Sequence, residues 1–193
     1  DLGQRPSGLL RLTAPRAAVP PILQPLIASF CRAYPEVEVE ISADEELVDI
    51  AAGGFDAGIR MGQFIAADMV AVRLTPPFRF IVVGSPDYLH RRGKPTRPDD
   101  LREHACLRLR RSNGALGLWS LKGNGSPIDI AVSGPLIAND FPTVLGAALE
   151  GLGLAQVPAP IAADAEKAGS RFEALASFAP TVAGVFLYYP GRR

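Results

Sequence analysis

Residues 8–60 read GLLRLTAPRAAVPPILQPLIASFCRAYPEVEVEISADEELVDIAAGGFDAGIR, and nearly every position in them chooses between strand and helix. Gly8 to Thr13 is a short apolar run with one charge, which predicts a mostly buried strand stopping at Ala14-Pro15. Val19, Ile22, Leu23, Leu26, Ile27 and Phe30 then recur at offsets that share one face at 3.6 residues per turn, so a helix follows. Pro20 and Pro21 suit its first turn, whereas Pro25 either kinks it or marks its true start a turn later; Tyr34-Pro35 ends it. Val37-Glu38-Val39-Glu40-Ile41 alternates apolar with acidic, the pattern of a half-exposed edge strand. Asp44, Glu45 and Glu46 precede Leu47, Ile50 and Ala51, placing negative charge at the positive end of a short helix that Gly53-Gly54 closes, and Phe55 to Arg60 is the next strand. Strand, helix, strand, helix, strand calls for parallel pairing with right-handed crossovers, one half of a doubly wound α/β fold.

Beyond this stretch, Val70 to Leu74, Phe78 to Gly84, Leu136 to Ala138, Leu152 to Val157 and Val182 to Tyr189 are further strands. Leu116 to Leu121 and Ile128 to Val132 flank an Asn124-Gly125 turn and form a hairpin. Helices are expected from Pro86 to about Arg91, from Phe141 to Glu150 behind the capping pair Asn139-Asp140, and from Pro160 to Ala168.

The 193 residues are enough for one large domain or two small ones, and 48% apolar against 21% charged places them among chains that bury a core. Twenty basic and twenty acidic groups cancel, which removes any whole-molecule field toward nucleic acid or an anionic membrane. Their distribution is uneven: five basic minus ten acidic gives −5 over residues 1–72, eleven minus four gives +7 over 73–122, and four minus six gives −2 over 123–193. The middle is thus a differently charged unit. Cys31 and Cys106 are too few and too far apart for a disulfide framework or metal site, which suits a reducing compartment, and both suit buried small apolar positions. The uncharged run 174–191 is broken by prolines and glycines and reads as loop plus strand, not a membrane span, and no leader pattern opens the chain.

Catalytic signatures are missing: there is no GxSxG, no GxxxxGK[ST], no HExxH and no CxxC, so neither catalytic residues nor a metal or cofactor is expected. Gly151-Leu152-Gly153 lies between a helix and a strand, the reverse of a dinucleotide-binding turn. His90 and His104 sit among arginines and read as surface residues. Arg108-Leu109-Arg110-Arg111 could touch nucleic acid, but no aromatic residues interleave to stack bases, and a solvated face explains the same residues. Asn124-Gly125-Ser126 matches a glycosylation sequon that the hairpin turn equally explains.

What remains is binding at strand-to-helix junctions, where open α/β sheets hold ligands. These are Ala14-Pro15-Arg16-Ala17, Ser42-Ala43-Asp44, Arg60-Met61-Gly62 and Asn139-Asp140-Phe141. Arg16 at a helix start and Arg60 at a strand end together favour an anion such as a carboxylate. The plainer alternatives are that Asn139 and Asp140 only cap a helix and that Arg60 only pairs with Asp56 or Asp44.

Nine segments in register also resemble the effector-binding domain of LysR-type transcriptional regulators, over nearly the whole chain. They include Gly8 to Pro15, Phe30 to Val37, Gly54 to Arg60, Gly84 to Leu89, Pro98 to Leu101 with His104 to Leu107, Trp119 to Leu121, Asn139-Asp140, Gly151 to Ala155 with Pro158, and Tyr189 to Arg193. The resemblance implies a periplasmic-binding-protein type 2 fold: two Rossmann-like lobes, 8–77 completed by 178–193 and 78–177, with an effector cleft between them. It carries effector contacts onto the junction residues above together with Ser112 and Pro158. It further implies antiparallel homodimers joining the first helix to the Phe141–Glu150 helix of a second copy, and tetramers in the full-length regulator. DNA is then contacted only through an N-terminal winged helix-turn-helix that this chain lacks, and the setting is cytoplasmic. The rival reading is an exported solute-binding protein of the same fold; an enzyme on this architecture would need Asp44, Asp56 or Asp140 as its base.

Overall fold

In the computed structural model, which describes residues 5–45, 49–111 and 113–191, the opening apolar run becomes β1 (Gly8–Ala14). It pairs in parallel with β2 (Val37–Ala43) along its whole length, Gly8 with Val37 through Ala14 with Ala43. On its other side Leu12 and Thr13 meet Ala57 and Gly58 of β3 (Ala57–Met61). The chain leaves β1 through a 3₁₀ turn at Arg16–Ala18 and a wide π turn at Val19–Leu23 before α1 (Gln24–Ala33) begins. Pro25 therefore lies in the first turn of α1, where its missing amide costs no helical hydrogen bond. The expected second helix falls partly on 46–48, outside the described residues; residues 50–54 form turns.

β4 (Met69–Arg73) and β13 (Val185–Pro190) complete a sheet of order β2-β1-β3-β13-β4. β13 runs antiparallel to both neighbours, with Tyr188 opposite Gly58 and Ala71. A Cβ on Gly58 would come within 2.5 Å of the Tyr188 ring, so this strand needs glycine there. Arg11 staples the opposite end: its guanidinium bonds Glu40 at 3.0 Å and the Gly54 carbonyl at 2.9 Å and lies over the Phe55 ring. Asp56 accepts the Arg11 amide at 2.8 Å. These elements make up the first of two compact units, Asp1–Pro77 with Ala183–Arg193.

The second unit is Phe78–Val182. It contains β5 (Phe78–Gly84), α2 (Pro86–Arg92), β6 (Cys106–Leu109), the hairpin β7 (Trp119–Lys122) and β8 (Pro127–Ile130), β9 (Ile137–Ala138), α3 (Phe141–Leu149), β10 (Leu154–Pro158), α4 (Ala163–Lys167), β11 (Phe172–Ala174) and β12 (Thr181–Val182). Its main sheet runs β11-β5-β10-β6-β9, with β12 also on β5. Both faces of β5 are buried: Ile81 and Val83 join Leu107, Val144, Ala148 and Val157, while Val82 faces Tyr88, Leu101, Trp119 and Leu154. A strand covered on both faces reads as an unbroken apolar run, which is what Phe80 to Gly84 shows after the exposed Arg79.

Several expectations change. The final strand is two strands, because Thr181–Val182 pairs with Arg79 and Phe78 of the second unit and Gly184, at φ +99°, turns the chain before Val185. Residues 178–182 therefore do not join the first unit. Strand pairing in the hairpin is confined to Trp119–Lys122 and Pro127–Ile130, and Ala159–Ala162 is a 3₁₀ turn before α4. His104 is buried, 8% exposed, and not a surface residue. The Ala105 amide donates to Tyr88 Oη at 3.0 Å, and the same hydroxyl shares a hydrogen bond of 3.1 Å with His104 Nδ1.

Burial, followed by the nearby Arg92 charge, holds His104 below the ordinary histidine range, against weaker pulls from Asp100 and Glu103. A depressed native pKa means that the unfolded chain takes up a proton before the folded one does. Stability is thus fully present above about pH 6.5 and declines as pH falls below it, until the native ring itself titrates. Melting temperature measured from pH 8 to pH 5 is expected to fall more steeply for the parent chain than for His104→Gln; parallel curves would show that the ring does not titrate on unfolding.

Candidate functional site

The ends of β1, β2 and β3 bring most of the first unit's junction residues to one sheet edge. Ala14 is fully buried, and the Asp44 amide donates to its carbonyl at 2.9 Å, extending the β1–β2 pairing one residue past Ala43. Arg60, opposite Phe186 and 3% exposed, folds back under this edge. Its guanidinium donates to the Ile59 carbonyl at 2.7 Å, Thr13 Oγ1 at 3.1 Å and the Asp44 carbonyl at 3.4 Å. Burial pulls its pKa below the usual arginine range, while Tyr188, Glu45 and Asp44 oppose that shift. A guanidinium so held stays charged and ties three strand ends together. Of the two pairings weighed for it, Arg60 reaches the Asp44 carbonyl and is acted on by the Asp44 charge, and Asp56 accepts the Arg11 amide.

Above Arg60 the chain enters its first helical turns. Pro15 is extended, Arg16 is exposed, and the Arg16 amide donates to Glu45 Oε1 at 2.9 Å. A side-chain carboxylate thus already rests on an amide at the start of the helical segment, the chemistry such an end favours. Ala17 is half-buried in this 3₁₀ turn, Ser42 lies half-buried in β2, and Met61 ends β3 at the head of another 3₁₀ turn, Gly62–Phe64.

In the second unit, Asp140 caps α3: its carboxylate accepts the Thr143 amide at 2.8 Å and the Thr143 hydroxyl at 2.9 Å. Asn139 is exposed beside it, just after β9. Phe80 of β5 links two further residues, since its ring lies 5.8 Å from that of Phe141 and Pro158 is its cross-strand partner. Ser112 lies outside the described residues. Two members of the arginine run are engaged by backbone, Arg108 donating to the Gly134 carbonyl and Arg110 to that of Gly114.

Thr13, Glu45 and Phe80 escaped the sequence reading. Thr13 and Phe80 looked like ordinary strand positions, and Glu45 like a helix-start charge; only the register between distant strands gives them partners. Cys106 is fully buried with its thiol pushed up to about 12, and Cys31 is half-buried. Among the described residues no cluster of histidine, cysteine and carboxylates could hold a metal ion, and no helix is long and apolar enough to cross a membrane.

Residues 3–193 match the family model described as the LysR substrate binding domain. The HTH-type transcriptional regulator PgrR of Escherichia coli (strain K12) is 35% identical over 194 residues, covering 100% of this chain and 65% of that protein. A putative transcriptional regulator of Pseudomonas aeruginosa is 36% identical over 193 residues, covering 100% of this chain and 63% of its own length. The chain therefore spans just under two thirds of these relatives. Among solved structures, the regulatory domain of AphB in Vibrio vulnificus superposes with a TM-score of 0.80 at 22% identity, over 95% of this chain and 92% of that one, a likeness of fold.

Proposed function

Because the chain belongs to the LysR substrate-binding domain family, with the periplasmic-binding-protein type 2 fold of its structural neighbours, we propose that it is the sensing part of a longer transcriptional regulator. A small molecule binds it, and attached DNA-binding parts respond. The chain performs no chemistry on that molecule, acts in the cytoplasm, and meets DNA only through segments outside it. The curated relatives being transcriptional regulators, the solute-carrier reading is not favoured.

The observation that carries the binding reading is the sheet edge built over Arg60. Glu45 on the Arg16 amide marks a place where an effector carboxylate would be accepted, with Ala14, Pro15, Ala17, Ser42, Asp44 and Met61 around it. Asn139, Asp140, Phe141, Pro158 and Ser112 are proposed as effector contacts belonging to the second unit. A thermal-shift screen of small carboxylates, each beside its methyl ester, tests this. A ligand at a hundred times its Kd adds about 2.7 kcal/mol of stability, so acids are expected to raise the melting temperature where esters do not. Equal responses would remove the anion from the reading.

Self-association is the second part of the proposal. None of the ten residues of α1 is buried, and Leu26 is 54% exposed on the apolar face that Ile27 and Phe30 share. An amphipathic helix with its stripe uncovered suits a second copy of the chain. Sedimentation is expected to show a dimer at micromolar concentration and Leu26→Glu to weaken it at least tenfold; a parent chain that stays monomeric would count against α1 as the interface.

A further inference from the structure

Within the first unit, away from the edge over Arg60, a groove lies against β13 and β4. Its larger chamber, ≈ 370 Å³, is lined by Asp49, Ile50, Phe64, Asp68, Met69 and Tyr188. A smaller one of ≈ 240 Å³ shares Met69 and extends to Ile65, Ala71 and Phe186. The larger volume falls in the range that small-molecule sites occupy. The smaller chamber also reaches Gly62, next to Met61 of the proposed effector edge, whereas the larger one shares no residue with that edge.

The chemistry of the lining is selective. Tyr188 is 6% exposed, and its ring is pinned against Gly58 with its hydroxyl end beside that glycine. Among the described residues no hydrogen bond engages Tyr188 Oη, and none engages the exposed Asp68 carboxylate. The hydroxyl is not sealed from solvent, so its donor and acceptor are available to a molecule that enters the groove. Asp49 Oδ1 accepts the amides of Ala51 and Ala52, which fixes a second carboxylate at the wall. Burial keeps Tyr188 neutral, with Arg60 opposing and Asp49 reinforcing that effect. Ile50 is buried, Met69 is half-buried, and Phe64 presents a ring that is 47% exposed.

We propose that this groove is a second ligand site, distinct from the effector edge and selective for a small organic ammonium ion with an apolar body. The two carboxylates attract the ammonium and Tyr188 Oη accepts one of its protons. The Phe64 and Tyr188 rings take its charge and its hydrocarbon part. Arg60 is near enough to act on Tyr188, and its charge is met by Asp44 and Glu45 while its guanidinium donates to Thr13 and to the Ile59 and Asp44 carbonyls.

The chain's two methionines make the test direct, because Met69 lines the groove and Met61 ends β3 at the effector edge. In protein carrying ¹³C-methyl methionine, with signals assigned through Met61→Leu, benzylammonium is expected to move the Met69 resonance saturably and to leave Met61 in place. Asp68→Asn should weaken that binding at least fivefold and Tyr188→Phe at least threefold, with the parent fold confirmed by the remaining methyl spectrum. Benzyl alcohol and benzoate should leave Met69 unmoved. A Met69 signal that ignores benzylammonium, responds equally to benzyl alcohol, or titrates identically in Asp68→Asn would overturn the ammonium site. A carboxylate that moves Met61 alone would support the effector edge independently of the groove.

Discussion

Replacing Arg60 with alanine is expected to lower the stability of the first unit by about 3 kcal/mol, read as a lower urea midpoint with the transition of the second unit unmoved. The side chain is 3% exposed and serves three oxygens at once. Its removal strands Thr13 Oγ1, itself 1% exposed, and takes the positive charge from beneath Asp44 and Glu45. Hydrogen bonds to a charged group contribute about 1.5–3 kcal/mol each, and partners left buried cost more than the bond gained. Arg60→Lys should recover only part, because an ammonium lacks the planar fork that reaches several strand ends. Affinity for a carboxylate effector should fall along with it. An unchanged midpoint would show that the guanidinium does not hold the edge together.

The second large effect is expected at Gly153. A Cβ there would sit 2.3 Å from the Ala105 carbonyl oxygen and 3.0 Å from its carbon, which are backbone atoms at the approach to β6. The adjoining pair Leu154–Cys106 locks β10 to that strand, so the backbone cannot step aside without breaking the parallel ladder. Gly153→Ala should therefore cost about 3 kcal/mol, at the upper end of what overpacking a core costs. Gly151→Ala two residues earlier should cost only about 1 kcal/mol, because there the demand is a positive φ, +82°, at the end of α3. Chemical denaturation of both variants checks the order; a Gly153→Ala chain as stable as Gly151→Ala would mean that β10 and β6 can part. On these grounds Gly151-Leu152-Gly153 is a helix stop followed by a close strand approach.

Local pattern carried the α/β class and the strand-helix-strand opening, since the apolar run at Gly8, the alternation at Val37 and the 3.6 spacing from Val19 each answer to nearest neighbours. Where several local choices were permitted, as at Pro25, packing decided. The buried state of His104 was hidden because its partner, Tyr88, lies on another element and its sequence neighbours are charged. The site was legible as a set of junctions but not as a set of bonds. Arg60 stood out as a charge at a strand end, whereas Thr13 became its partner only through the β1–β3 register, and Glu45 reached Arg16 only because β1 and β2 end side by side.

The position of β13 has a consequence for the order of events on the ribosome. Residues 78–182 are continuous in sequence and can collapse as soon as they emerge, whereas the first sheet must wait for β13 to enter between β3 and β4. Until Val185–Pro190 is made, the inner edges of β3 and β4 are unpaired, and such edges recruit other chains. The slow, aggregation-prone phase of synthesis should therefore belong to the half of the molecule that is translated first.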